Sequence, residues 1–127
     1  MSEPAKEDFS FPREARILRE SDFKRIYRLG RRLKSRNLRF CALKVPEGMS
    51  RLGLAVSRKA GGAVVRNRWK RAIREAFRLN RHRLRSAYDM VISVNWEAAP
   101  EDARLVEAEV LEMIDRLNAG DAEGPAQ

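Results

Sequence analysis

The chain alternates between two hydrophobic periods, and their order predicts an α+β domain. In SDFKRIYRLG (residues 21–30), Phe23, Ile26 and Tyr27 fall at i, i+3 and i+4, one face of a short helix. Ser21 is placed to cap that helix, and Gly30 to end it in a left-handed turn. In NLRFCALKV (residues 37–45) the period drops to two. Leu38, Phe40 and Ala42 point one way, and Arg39, Cys41, Leu43 and Val45 the other. Pro46 and Gly48 turn the chain, after which LGLAVS (residues 52–57) reads as a neighbouring strand and DMVISV (residues 89–94) as a third. Pro100 suits the first position of a last helix, whose Val106, Val110, Met113, Ile114 and Leu117 form an apolar stripe, with Gly120 as its stop. Glu107, Glu109, Glu112 and Asp115 read as the wet side of that helix. The whole of 1–127 is expected to be one domain, with residues 1–10 and 119–127 as mobile tails.

The longest helix lies between the second and third of these strands. Gly61 and Gly62 break the chain, and the helix is expected to start near Ala63. At 100° per residue, Val65, Trp69, Ala72, Ile73, Ala76 and Phe77 gather on one side. Asn67, Lys70, Arg71, Arg74 and Arg78 gather opposite, and Glu75 is the only acid, so pairing within the helix leaves the stripe positive.

Charge extends that picture to the whole chain. The net charge of +9 divides into 25 Lys/Arg against 9 Asp/Glu over residues 1–96 (+16) and 2 against 9 over residues 97–127 (−7). A basic body of this kind points to a polyanion, most simply nucleic acid. Arginine predominates, and its planar fork matches a phosphate with two hydrogen bonds at once. Arg58 and Lys59 precede the helix and Arg81, Arg83 and Arg85 follow it. No stretch approaches a membrane span and no apolar run opens the chain, so a cytoplasmic protein with no membrane partner is expected.

Residue chemistry argues against autonomous catalysis. His82 is the only histidine and sits among arginines, and Cys41 is the only cysteine, so neither a nucleophile–base pair nor a zinc cluster is available. The glycines of RKAGGAVVRNR do not have phosphate-loop spacing. No catalytic residue, protein-bound metal or organic cofactor is expected.

The segment SRKAGGAVVRNRWKRAIREAF resembles the protein subunit of bacterial ribonuclease P, whose hallmark is R-N-R-x-K-R-x-x-R; here those positions are Arg66, Asn67, Arg68, Lys70, Arg71 and Arg74. SDFKRIYRLGRRL is similar to that family's first helix, LGLAVSRKAG to its central strand and turn, and YDMVISV to its last strand, so the likeness runs from about Phe11 to Leu117. The resemblance implies a small mixed sheet of about four strands with helices packed on it, in the order αβββαβα. It also implies an extra strand around Leu33 and a left-handed crossover carrying the basic helix, against the usual hand. It implies an RNA-binding subunit that assists a catalytic RNA in endonucleolytic removal of the 5′ leader from precursor tRNA, with Mg²⁺ held by the RNA subunit and substrate. The ribonuclease P RNA subunit and precursor tRNA are the implied partners. Arg58, Lys59, Arg66, Asn67, Arg68, Lys70, Arg71, Arg74 and Arg78 would meet the RNA. Phe23, Tyr27, Arg39 and Cys41 would form a cleft for the leader, with Cys41 standing where relatives often carry an aromatic. The i, i+4 spacing of Phe23 and Tyr27 fits a core face equally well. A structural RNA-binding protein of the ribosomal kind shares the charge and size, whereas a DNA regulator lacks support, because no helix-turn-helix spacing precedes the basic helix.

Overall fold

The computed structural model describes residues 11–122. The elements run α1 (Glu20–Leu29), β1 (Arg31–Lys34), β2 (Leu38–Val45), β3 (Arg51–Ala55), α2 (Ala63–Asn80), β4 (Ala87–Val94) and α3 (Val106–Ala122), with a 3-10 stretch at Pro100–Leu105 leading into α3. The sheet is ordered β1-β2-β4-β3. β1 and β4 flank β2 antiparallel, and β3 closes the far edge parallel to β4. The strand around Leu33 is β1, and α2 connects the parallel pair.

Period-two alternation in β2 divides the interior into two cores, one on each face of the sheet. Leu38, Phe40 and Ala42 face the larger core with Met90 and Ile92 of β4, Trp69, Ile73 and Phe77 of α2, and the whole α3 stripe Val106, Val110, Met113, Ile114 and Leu117. Cys41 and Val91 face the other way and pack on Ile17 and on Ile26 of α1. Both faces of the sheet are therefore covered, α2 and α3 on one and α1 on part of the other. Burying side chains of this size stabilises by about 1.5–3 kcal/mol each, which is how Trp69, Ile73 and Phe77 hold the basic helix in place.

The junction of α1 with the sheet is electrostatic as well as apolar. Asp89 is buried on β4, and Arg51 grips it through two hydrogen bonds, Nε to Oδ1 at 2.8 Å and Nη2 to Oδ2 at 2.7 Å. Arg25 of α1 adds a third, Nη2 to Oδ2 at 2.9 Å, and also reaches Asp22 at 3.4 Å. Burial pushes the Asp89 carboxyl up, but the hydrogen bonds from Arg51 and Arg25 and their charges outweigh it, leaving its pKa below the ordinary value.

Four expectations are corrected by tertiary context. Helix α1 begins at Glu20 rather than at a Ser21 cap. Arg19 holds the cap position without a side-chain bond, and Glu20 and Asp22 complement the helix dipole in the first turn. Gly30 ends α1 in extended backbone (φ −77°, ψ 160°), not a left-handed turn. Its role is close approach, since a Cβ there would lie 2.6 Å from the Ile26 carbonyl oxygen and 2.9 Å from Cys41 Sγ. Gly120 does not stop α3, which continues to Ala122, so residues 119–122 belong to the helix rather than to a tail. The tail expectation for 1–10 and 123–127 lies outside the described residues. Glu109 is buried, not wet. It accepts from Asn37 N at 2.8 Å, Asn37 Nδ2 at 2.7 Å and the Ser35 hydroxyl, tying α3 to the β1–β2 turn.

Candidate nucleic-acid interface

Helix α2 turns its aromatic side inward and leaves Asn67, Arg68, Arg71 and Arg74 exposed, with Arg66 and Lys70 half-buried along the same helix. Its N-terminus is built for anions. Ser57 accepts from Lys59 N at 3.2 Å, opening a 3-10 turn (Arg58–Ala60) that presents Arg58 and Lys59. Gly61 then takes φ 139°, a conformation that side chains rarely adopt. The first turn of α2 contains no acid, so the positive end of the helix dipole and its unbonded N–H groups add to the arginines instead of being offset. Arg66 Nε donates to the Gly61 carbonyl at 3.2 Å, which points its guanidinium along this end. Among the described residues, Arg66, Arg68, Lys70, Arg71 and Arg74 have no acidic partner. Arg78 differs: it is paired with Glu75 one turn back, and that hydrogen bond holds the Glu75 carboxyl below its ordinary pKa.

A second site is a cleft of about 560 Å³ between α1 and the sheet, lined by Tyr27, Arg32, Arg39, Cys41, Val91 and Ser93 among others. Tyr27 is 36% exposed. Arg32 donates to the Tyr27 carbonyl at 2.7 Å and holds its guanidinium 5.9 Å from the Tyr27 ring centroid, a cation–aromatic pair. Arg39 Nε donates to Asn95 Oδ1 at 2.7 Å, which steadies it at the cleft wall. Cys41 is buried and its thiol donates to the Ile26 carbonyl at 3.1 Å. Burial pushes the Cys41 pKa up, with Arg32 opposing, so the thiol is a packing group rather than a nucleophile. Burial likewise pushes the Tyr27 phenol up, Cys41 adding to the rise and Arg32 opposing it. The result is a flat aromatic surface beside guanidinium groups, suited to an unstacked base and its phosphate.

The four leader-cleft candidates do not all meet in one place. Tyr27, Arg39 and Cys41 share the cleft, whereas Phe23 is half-buried over Gly53, where an added Cβ would come within 2.8 Å of its ring, and lines a separate groove near β3. The small thiol at position 41 lets the end of α1 close onto the sheet, so Cys41 contributes packing where a ring would contribute a stacking face. Arg32 went unrecognised in the sequence because it belongs to a four-residue strand; its neighbour Arg31 and the preceding glycine were the available signal. His82 is exposed in the turn after α2. No helix among the described residues is long and apolar enough to cross a membrane.

An arginine-faced helix and a basic, aromatic-walled cleft on one mixed sheet define an α+β protein made to bind a polyanion. Comparison with known proteins narrows that class. The family description Ribonuclease P matches residues 11–118, the span over which the sequence motifs were recognised. The ribonuclease P protein component of Desulfatibacillum aliphaticivorans is 35% identical over 114 residues, covering 88% of this chain and 95% of that protein. The corresponding component from Desulfovibrio desulfuricans is 41% identical over 114 residues, covering 86% and 87%. Among solved structures, the Thermotoga maritima RNase P protein superposes with a TM-score of 0.71 at 29% identity, covering 80% of this chain and 96% of that one. The Staphylococcus aureus RNase P protein gives 0.67 at 31% identity, covering 78% and 94%. The chain belongs to the ribonuclease P protein family, the protein components of the endoribonuclease that matures tRNA 5′ ends.

Proposed function

We propose that this protein docks α2 on the ribonuclease P RNA subunit and holds the 5′ leader of precursor tRNA in the Tyr27 cleft, while the RNA carries out the hydrolysis. The observation that carries the reading is the row Arg66, Arg68, Lys70, Arg71 and Arg74, braced from behind by Trp69, Ile73 and Phe77 and without an acidic partner among the described residues. Self-repulsion along such a row destabilises the free protein and is relieved when phosphates arrive. Each phosphate neutralised releases counterions, so binding is driven by charge and weakened by salt.

The protein's own groups bind and position. Tyr27 offers a ring for a leader base, and Arg32 and Arg39 offer charge for the backbone beside it. The buried carboxylates Asp89 and Glu109 are saturated by donors of the chain itself, so their chemistry does not suit them as metal ligands. Mg²⁺ in this reading is held by RNA and supplies the activated water. The cations of α2 strengthen its binding indirectly, by lowering repulsion between RNA strands. The cytoplasm is the compartment this role requires.

The test combines the protein with a bacterial ribonuclease P RNA and precursor tRNA at low Mg²⁺. Faster 5′ cleavage than with RNA alone is expected. Equal rates would remove the reading and leave a structural RNA-binding protein.

A further inference from the structure

The groove that contains Phe23 lies along the outer edge of β3, away from the Tyr27 cleft, and has a volume of about 270 Å³. One wall is the segment before α1, which runs parallel to β3 through the Arg16–Leu52 bridge and the 2.9 Å bond from Ile17 N to the Leu52 carbonyl. The opposite wall is α2, through Lys70 and Arg74. We propose that this groove receives one unstacked nucleotide of the ribonuclease P RNA subunit; the proposal rests on the reading that α2 faces that RNA.

The groove's chemistry matches the two halves of a nucleotide. Leu54 and Phe23, both half-buried, provide an apolar surface for a base, with the buried Leu52 beneath them. Arg16, Lys70 and Arg74 stand around it as cations without an acidic partner among the described residues, placed to meet the phosphate. The Arg16 guanidinium is already oriented, lying 4.7 Å from the Phe11 ring centroid, while Phe11 itself packs edge-on against Phe77 of α2 at 6.0 Å. A guanidinium held over a ring in this way keeps N–H groups for a phosphate of the bound nucleotide. Leu18, 72% exposed at the same groove, extends the apolar surface outward. The RNA subunit is the fitting source because Lys70 and Arg74 also belong to the α2 stripe, so a strand following the stripe reaches the groove without leaving cationic surface.

The test replaces Leu18 and Arg16 in the full chain (Leu18→Ser with Arg16→Gln), two exposed side chains whose loss leaves the core intact. Affinity for the RNA subunit is measured without precursor tRNA, together with chemical probing of the RNA bases. Binding about tenfold weaker is expected, with one base protected by the native protein and reactive beside the variant. Unchanged affinity and an unchanged protection pattern would overturn the proposal. Arg66→Ala with Arg68→Ala and Arg71→Ala is measured in parallel. Native-like binding by that triple variant would sink the reading of α2 and this groove with it, whereas loss by the triple variant alone would sink only the groove.

Discussion

Arginine has two fates in this protein. Arg25 and Arg51 converge on the buried Asp89 and join α1 to the sheet, so their charge is consumed inside the fold. Arg68, Arg71 and Arg74 stand exposed on α2 and form no ion pair among the described residues, the one acid of the helix, Glu75, being paired with Arg78. The two groups use one side chain for opposite purposes: the first answers a carboxylate that folding brings from 64 residues away for Arg25 and 38 for Arg51, the second waits for an anion from outside the chain. Counting arginines does not separate them; the position of the nearest carboxylate does.

Removing the internal partner should give the largest effect. Asp89→Ala leaves two guanidiniums around an empty site and should cost about 2–4 kcal/mol in urea unfolding, somewhat below the usual penalty for breaking a buried pair because both arginines are about one-third exposed. A loss no greater than that of a surface substitution would mean that the network does not hold α1. Removing the external group tests the other half. Arg66→Ala, Arg68→Ala and Arg71→Ala together should leave urea stability unchanged or slightly raised, as self-repulsion falls, yet lower RNA-subunit affinity by roughly a hundredfold in moderate salt, the slope against salt flattening by about one unit per lost contact. An unchanged slope would show that the stripe does not meet phosphate.

Tyr27→Ala sharpens the comparison on the cleft side. It should weaken binding by on the order of 1–3 kcal/mol if the ring stacks on a leader base, and only for leader-bearing precursor; equal losses for mature tRNA would exclude leader contact. The smallest effect is expected from acid. Because the Asp89 pKa is lowered in the folded state, its contribution is fully present above the unfolded value of about 3.9 and disappears as pH falls through the lower folded value. The stability advantage of the native protein over Asp89→Asn should therefore be constant at neutral pH and shrink only below about pH 4. An advantage that fades between neutrality and that point would assign it to another group.

Much of the fold was legible because periodicity is a local record of burial. The α2 face of Trp69, Ile73, Ala76 and Phe77, the α3 stripe and the alternation of β2 all appear as read. Glu109 was misread for the same reason. Its neighbours on α3 form a solvated acidic face, and nothing nearby in sequence announces that Ser35 and Asn37 will surround it. Gly30 followed the statistics of helix ends, whereas its actual constraint is the approach of Cys41 from another strand. Phe23 and Tyr27, equivalent by spacing, were divided between two concavities by the shape of the sheet beneath them.

The linear order of residues was enough to establish the helices and strands, the cationic helix with its apolar back, and membership of a family, because each depends on side chains within a few turns of one another. Which charges are satisfied, which aromatic ring stays open and where an apolar groove meets cations were settled only when distant segments met. Those properties depend on distances across the sheet, and separation along the chain does not encode them.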